Sequence, residues 1–165
     1  MYFDGSKTQE GLGSGCVLID LERNKPFLSC RLEFDCTNNT AEYEALVQGL
    51  KRAIELNVNF LKVFGDFEIV VRQIRDTIHC LSWQLKGYQY EVWNLITHFN
   101  AFNINAIPRL QNVATDLLAT FASILVLNNN KFSIELIFRP LVPDNIKNMR
   151  VFNDDEQIIK FSMNE

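Results

Sequence analysis

Short apolar runs open the chain: Met1 to Phe3, Gly15 to Ile19 and Phe27 to Phe34 have strand length and are separated by Gly-rich and Asn/Lys/Pro turn signals. Their succession predicts the start of an antiparallel meander. From Thr40 the period changes, and Tyr43, Leu46, Val47, Leu50, Ala53 and Ile54 recur at helical spacing until Asn57 breaks the pattern. The polar run Thr37 to Thr40 supplies capping residues just ahead of that helix. Phe60 to Phe64 is strand-like and ends at Gly65, after which Phe67 to Ile74 resumes helical spacing. Strand, helix and strand in this order predict a right-handed crossover. A longer helix is expected from Trp83 to Phe99, a strand from Phe102 to Ile107 stopped by Pro108, and a last helix carrying Leu117, Leu118, Phe121, Ala122 and Leu125 at helical spacing. Asn128 to Asn130 reads as a turn, Phe132 to Phe138 as one more strand-like run, and the rest as a tail. The expected division is a globular domain over residues 1–127 and an extension over residues 128–165.

Composition narrows the class without changing this outline. A chain of 165 residues with 47% hydrophobic content fits one α/β domain with a sizeable core. Sixteen basic against twenty acidic residues argue against a broad basic face, so a polyanion would have to be held locally or through metal ions. Cys16, Cys30, Cys36 and Cys80 show no C-x-x-C spacing, and His79 and His98 lie too far apart for a zinc motif, so reduced, mostly buried thiols are expected. No apolar run approaches the roughly 18 residues of a membrane span, and no basic segment precedes an apolar one at the N-terminus, so a soluble intracellular location is expected. No internal repeat or low-complexity tract points to a solenoid.

Candidate chemistry lies where acids meet the predicted elements. Asp4 is expected to close the first strand and Asp66 follows the strand Phe60 to Phe64, so parallel neighbours would bring both to one sheet edge, where open α/β sheets place their sites. Adjacent carboxylates repel each other and favour a cation between them. Glu42 and Glu44 stand two positions apart on the first long helix, pointing about 200° from each other, so only one faces the sheet. Glu42 lies one turn before Leu46 on the apolar side, whereas Glu44 shares a side with Gln48, Lys51 and Glu55 and is expected to be a surface charge. Asp116 alone would read as an acid near a helix N-terminus. Taken with Asp4, Glu42 and Asp66 it completes a four-carboxylate set able to hold two divalent ions for phosphoryl transfer, magnesium or manganese in preference to zinc or copper.

The residues Tyr2-Phe3-Asp4-Gly5-Ser6, Thr37-Asn38-Asn39-Thr40-Ala41-Glu42-Tyr43-Glu44-Ala45-Leu46 and Gly65-Asp66, followed by Ile107 to Asn112 and Thr115-Asp116-Leu117-Leu118-Ala119, resemble a type 1 ribonuclease H domain. The chain is similar to the reverse-transcriptase-like domain of plant gypsy-type retrotransposon polyproteins, over about Met1 to Ser123. The resemblance implies a five-stranded mixed sheet flanked by helices, hydrolysis of the RNA strand of an RNA–DNA hybrid, and two Mg²⁺ or Mn²⁺ ions. It implies catalytic and metal-binding roles for Asp4, Glu42, Asp66 and Asp116, with Asn38, Asn39, Gln73, Arg109 and Asn112 as candidates for substrate contacts. Partners would be the hybrid and a reverse transcriptase domain of a parent polyprotein. Phe67 stands where the family usually carries a small polar residue, Ala106 where related domains often carry histidine, and Thr115 where alanine is usual. Only three residues precede Asp4, which predicts a short first strand and a fragment or degraded copy. These departures keep open a second expectation, an inactive nucleic-acid-binding or scaffolding module. An exonuclease of the same superfamily fits less well, because Asp4-Gly5-Ser6 lacks the Asp-x-Glu of such enzymes.

Overall fold

A computed structural model describes residues 1–124 and 134–142 of the chain. Strands β1 (Tyr2–Lys7), β2 (Leu12–Val17) and β3 (Phe27–Leu32) form the expected antiparallel meander. Helix α1 (Asn38–Glu55) leads to β4 (Phe60–Gly65), followed by α2 (Glu68–Ile74), α3 (Trp83–Ile96), β5 (Ala101–Ala106), a short 3₁₀ turn at Arg109–Gln111, α4 (Val113–Ile124) and β6 (Glu135–Ile137). The sheet order is β5-β4-β1-β2-β3-β6, with β4 parallel to β1 and to β5. It has six strands where five were expected, because part of the run anticipated at Phe132 to Phe138 pairs in parallel with β3. Among the described residues no helix is long and apolar enough to cross a membrane.

Strand β1 also differs from expectation. It does not stop at Asp4 but continues to Lys7, because its second half pairs with β2 alone. The register Tyr2↔Phe64 is its single pairing with β4, so β1 runs past the end of β4 and Asp4 comes level with Asp66.

Alternation along β2 separates the two layers that cover the sheet. Ser14 and Cys16 face α1, where the Ser14 hydroxyl donates to Gln48 Oε1 at 2.6 Å. Helix α1 starts where Thr37 caps it, the Thr37 hydroxyl accepting from the Thr40 N–H at 3.2 Å, and it stops before Asn57, whose φ of 56° is left-handed. Its inner face buries Tyr43, Leu46, Val47 and Leu50 against Phe3, Cys16 and Val63, each such aliphatic side chain contributing about 2 kcal/mol of burial. The opposite face was expected to be solvated, and near its C-terminal end it is: Lys51 and Glu55 reach water. Near its start it is not, since Glu44 is 0% exposed and Gln48 8%. Helix α3 packs across this side of α1, a contact that helical periodicity could not reveal.

Gly13 and Gly15 of β2 face the other layer, which α4 provides. A Cβ on Gly13 would stand 2.0 Å from the Ala119 carbonyl oxygen, and one on Gly15 would stand 2.5 Å from that of Thr115. The α4 backbone therefore lies directly on the strand, and only Thr115, Ala119, Ala122 and Ser123 fit inward. The large apolar residues at helical spacing are not the ones that face the sheet: Leu117 and Phe121 point outward at 49% and 55% exposure, and Leu118 is partly buried. Leu125 lies outside the described residues, as does most of the expected extension at residues 128–165. The four cysteines are free, Cys36 half-buried and the others buried.

Candidate active site

Three of the four expected carboxylates converge. One carboxylate oxygen each of Asp4, Glu42 and Asp66 lies within 4.8 Å of the other two. Asp4 comes from β1, Asp66 from the residue after β4, and Glu42 from the first turns of α1. Gly5 makes the approach of the helix possible, since a Cβ there would stand 2.4 Å from the backbone of Ala41 and Glu42. Its N–H donates to Glu42 Oε2 at 3.1 Å and fixes that carboxylate.

Asp116 lies at the rim. Its Oδ1 accepts from Arg109 Nη2 at 2.7 Å, and it is outside the close trio, although its charge acts on Asp4. Arg109 is an exposed cation lining the cleft, with its side chain 76% exposed. Asn38 and Arg109 line an open cleft of about 330 Å³ together with Asp4, Gly5, Ser6, Lys7, Glu42, Asp66 and Phe67. Asn39, half-buried next to Asn38 at the start of α1, is not among the residues that line it.

Two of the expected substrate contacts, Gln73 and Asn112, are buried. Gln73 is 6% exposed and its amide carbonyl accepts from the Tyr43 hydroxyl at 2.9 Å, so it belongs to the contact between α1 and α2 in the core. Helix α3 closes over α2 there, and Gln89 Nε2 donates to the Gln73 backbone carbonyl at 2.7 Å. Asn112 is 1% exposed and positions the site from behind: its Nδ2 donates to the Phe3 carbonyl at 2.9 Å and to Asp66 Oδ1 at 3.0 Å. Thr115, the departure from alanine, donates its hydroxyl to the Asn112 carbonyl at 2.9 Å and also contacts Asn112 Oδ1.

Lys7 and Ser6 escaped the sequence reading because β1 was expected to end at Asp4. Lys7 lines the cleft, and its Nζ donates to the Cys36 carbonyl at 2.9 Å and lies 3.6 Å from Asp35. Phe67 borders the cleft and also packs on the core, and as the residue preceding α2 it gives that helix no side-chain cap. Ala106 ends β5 in register with Gly65 and is exposed.

Burial raises the Asp4 carboxyl to about 8, reinforced by the charge of Asp66 and a hydrogen bond to it. Burial likewise raises Glu42 to about 9, with Asp4 the main charge acting in the same direction and the Gly5 N–H opposing. Without a cation these groups hold protons at neutral pH. The donor set is oxygen only, desolvated and short of positive charge except at the rim, which fits a divalent ion of the magnesium or calcium type.

A mixed sheet with helices on both faces and an acidic cluster where β4 ends beside its parallel neighbour β1 define a domain of the ribonuclease H type, a class that uses divalent metal. The chain belongs to the reverse transcriptase-like family, whose sequence model matches residues 2–122. Ribonuclease HI of Halobacterium salinarum is 30% identical over 86 residues, 52% of this chain and 43% of that protein. The chain thus matches less than half the length of that curated relative. The crystal structure of RNase H1 from the same archaeon superposes with a TM-score of 0.69 at 27% identity, covering 73% of this chain and 93% of that one. LC11-RNase H1 in complex with an RNA/DNA hybrid gives a TM-score of 0.65 at 25% identity, over 72% of this chain and 91% of that one.

Proposed function

We propose that the protein is a metal-dependent endonuclease that hydrolyses the RNA strand of an RNA–DNA hybrid. The convergence of Asp4, Glu42 and Asp66 carries this reading. The match to a ribonuclease HI and to a domain bound to an RNA/DNA hybrid supports the substrate class. Asp4, Glu42 and Asp66 would hold two Mg²⁺ or Mn²⁺ ions, with Asp116 at the rim as the fourth carboxylate of the set. Bound ions of this kind supply an activated water and stabilise the leaving oxygen. The chain's own residues prepare the site: Gly5 orients Glu42, Asn112 orients Asp66, and Thr115 fixes Asn112. Asn38 and Arg109 face the substrate from the cleft walls, with Asn39 beside them, and contacts to 2′-hydroxyls distinguish RNA from DNA. A reverse transcriptase domain of a parent polyprotein is the fitting neighbour in sequence. The test is cleavage of a labelled RNA–DNA hybrid with Mg²⁺ or Mn²⁺, beside single-stranded RNA, duplex DNA and an Asp66→Asn variant. Hybrid-specific cleavage that vanishes in the variant is expected. Binding of the hybrid without cleavage by folded protein would instead support the second reading, an inactive binding module, for which the ring of Phe67 in the cleft is the favouring observation.

Lys7 is placed to meet a phosphate of the bound strand. Lys7→Ala is expected to raise KM with kcat nearly unchanged and to lower the slope of log KM against log salt by about one, the signature of one lost phosphate contact. A fall in thermal stability with an unchanged slope would assign Lys7 to the tie with Cys36 alone.

A further inference from the structure

Glu44 is fully buried and takes no part in the cleft. A buried carboxylate persists only where donors surround it. Here the Tyr88 hydroxyl donates to Oε1 at 2.5 Å, the Leu141 backbone N–H donates to the same oxygen at 2.9 Å, and Gln48 Nε2 approaches Oε2 at 3.5 Å. Tyr88 belongs to α3, and Leu141 follows β6, beyond the residues that the family model matches. One side chain therefore joins α1, α3 and the segment 134–142. That segment first pairs with β3, where Glu135, Leu136 and Ile137 lie opposite Cys30, Arg31 and Leu32. It then crosses to α1, where Leu141 packs on the main core and Val142 enters it.

Glu42 stands two positions before Glu44 on the same stretch of α1, on the side that faces Gly5. The helix touches β1 there backbone to backbone, so a small shift of its first turns acts directly on the bond from Gly5 to Glu42. We propose that residues 134–142 form a clasp that sets the position of Glu42, with Glu44 as the positioning residue that receives it. The clasp makes the carboxylate site depend on chain outside the family's matched region, and it offers a partner that displaces β6 a route to the site. Its effect on metal binding rests on the function proposed above, whereas its effect on Glu42 does not.

Three full-length variants separate the roles. Leu141→Pro deletes the N–H donor and keeps an apolar residue, Glu44→Leu deletes the acceptor, and Glu44→Gln keeps it. The readouts are hydrogen exchange of the Gly5 amide relative to β2 amides, and calorimetric Mn²⁺ affinity. Leu141→Pro and Glu44→Leu are expected to speed Gly5 exchange selectively and to weaken Mn²⁺ binding about tenfold, the scale on which groups that orient a metal ligand act. Glu44→Gln is expected to stay near the parent. Unchanged relative Gly5 exchange in Leu141→Pro, whatever happens to its melting temperature, overturns the clasp. If Glu44→Leu does not fold, Leu141→Pro decides alone. A parent protein that binds no Mn²⁺ sinks the nuclease reading, and Gly5 exchange still decides the clasp.

Discussion

Asp4→Asn is expected to abolish hybrid cleavage while making the metal-free protein more stable at pH 8. The loss follows from removing a central carboxylate of the trio, and a metal-assisted term of several kcal/mol corresponds to a fall of about a thousandfold in rate. The gain in stability follows from the raised ionisation of Asp4 and Glu42, about 8 and about 9 against ordinary values of 3.8 and 4.5. In that window the folded chain binds protons that the unfolded chain has released, so stability falls as pH rises from about 4 towards 9. An amide at position 4 carries no charge, removes one such group and relieves Glu42 of its main charged neighbour. Melting curves in chelator at pH 5 and pH 8 are the measurement: the variant should match the parent at the lower pH and exceed it at the higher. Added Mn²⁺ should stabilise the parent more at pH 8 than at pH 5, and should do little for the variant. A variant less stable than the parent at pH 8 would show that Asp4 has a structural role that outweighs its repulsion.

Gly13→Ala is expected to lower stability by about 3 kcal/mol or more, the upper range for overpacking, because the new methyl would meet the Ala119 carbonyl at 2.0 Å with no flexible side chain to give way. Relief requires α4 to lift from β2. The same helix carries Asp116 and Thr115, and Thr115 steadies Asn112 against Asp66, so activity should fall even in the fraction that remains folded. Urea unfolding gives the first quantity and hybrid cleavage at low temperature the second. Leu117→Ala provides the contrast. That leucine is the larger and more apolar residue, yet it faces outward, and its loss should change stability by less than about 0.5 kcal/mol.

The contrast between Gly13 and Leu117 also marks where periodicity succeeds and fails. Helical spacing places Leu117 and Phe121 on a helix but does not say which of its faces is covered. What decides the matter is the distance between α4 and the sheet, which two glycines on another element set. The helix α1 illustrates the complementary case. Its choice of Glu42 for the site needed only the angle between neighbouring residues, and the structure places that side chain beside Asp4 and Asp66. Its treatment of Glu44 failed because a helix face that looks polar can be closed by a second helix and a distant strand.

By itself the sequence determined the order of strands and helices, the meander, the two acids brought level by parallel strands, and the family motifs that join them. These are local properties: period, capping, turn residues and short runs report on a few neighbouring positions, and the physics that fixes them acts over the same range. Tertiary structure alone decided that β1 extends to Lys7, that Gln73 and Asn112 are buried, that Asp116 pairs with Arg109 at the rim, and that a sixth strand closes beside β3. Each of these depends on which element covers which face, and that is set by contacts between residues up to about a hundred positions apart, such as Asn112 with Phe3 and Leu141 with Glu44.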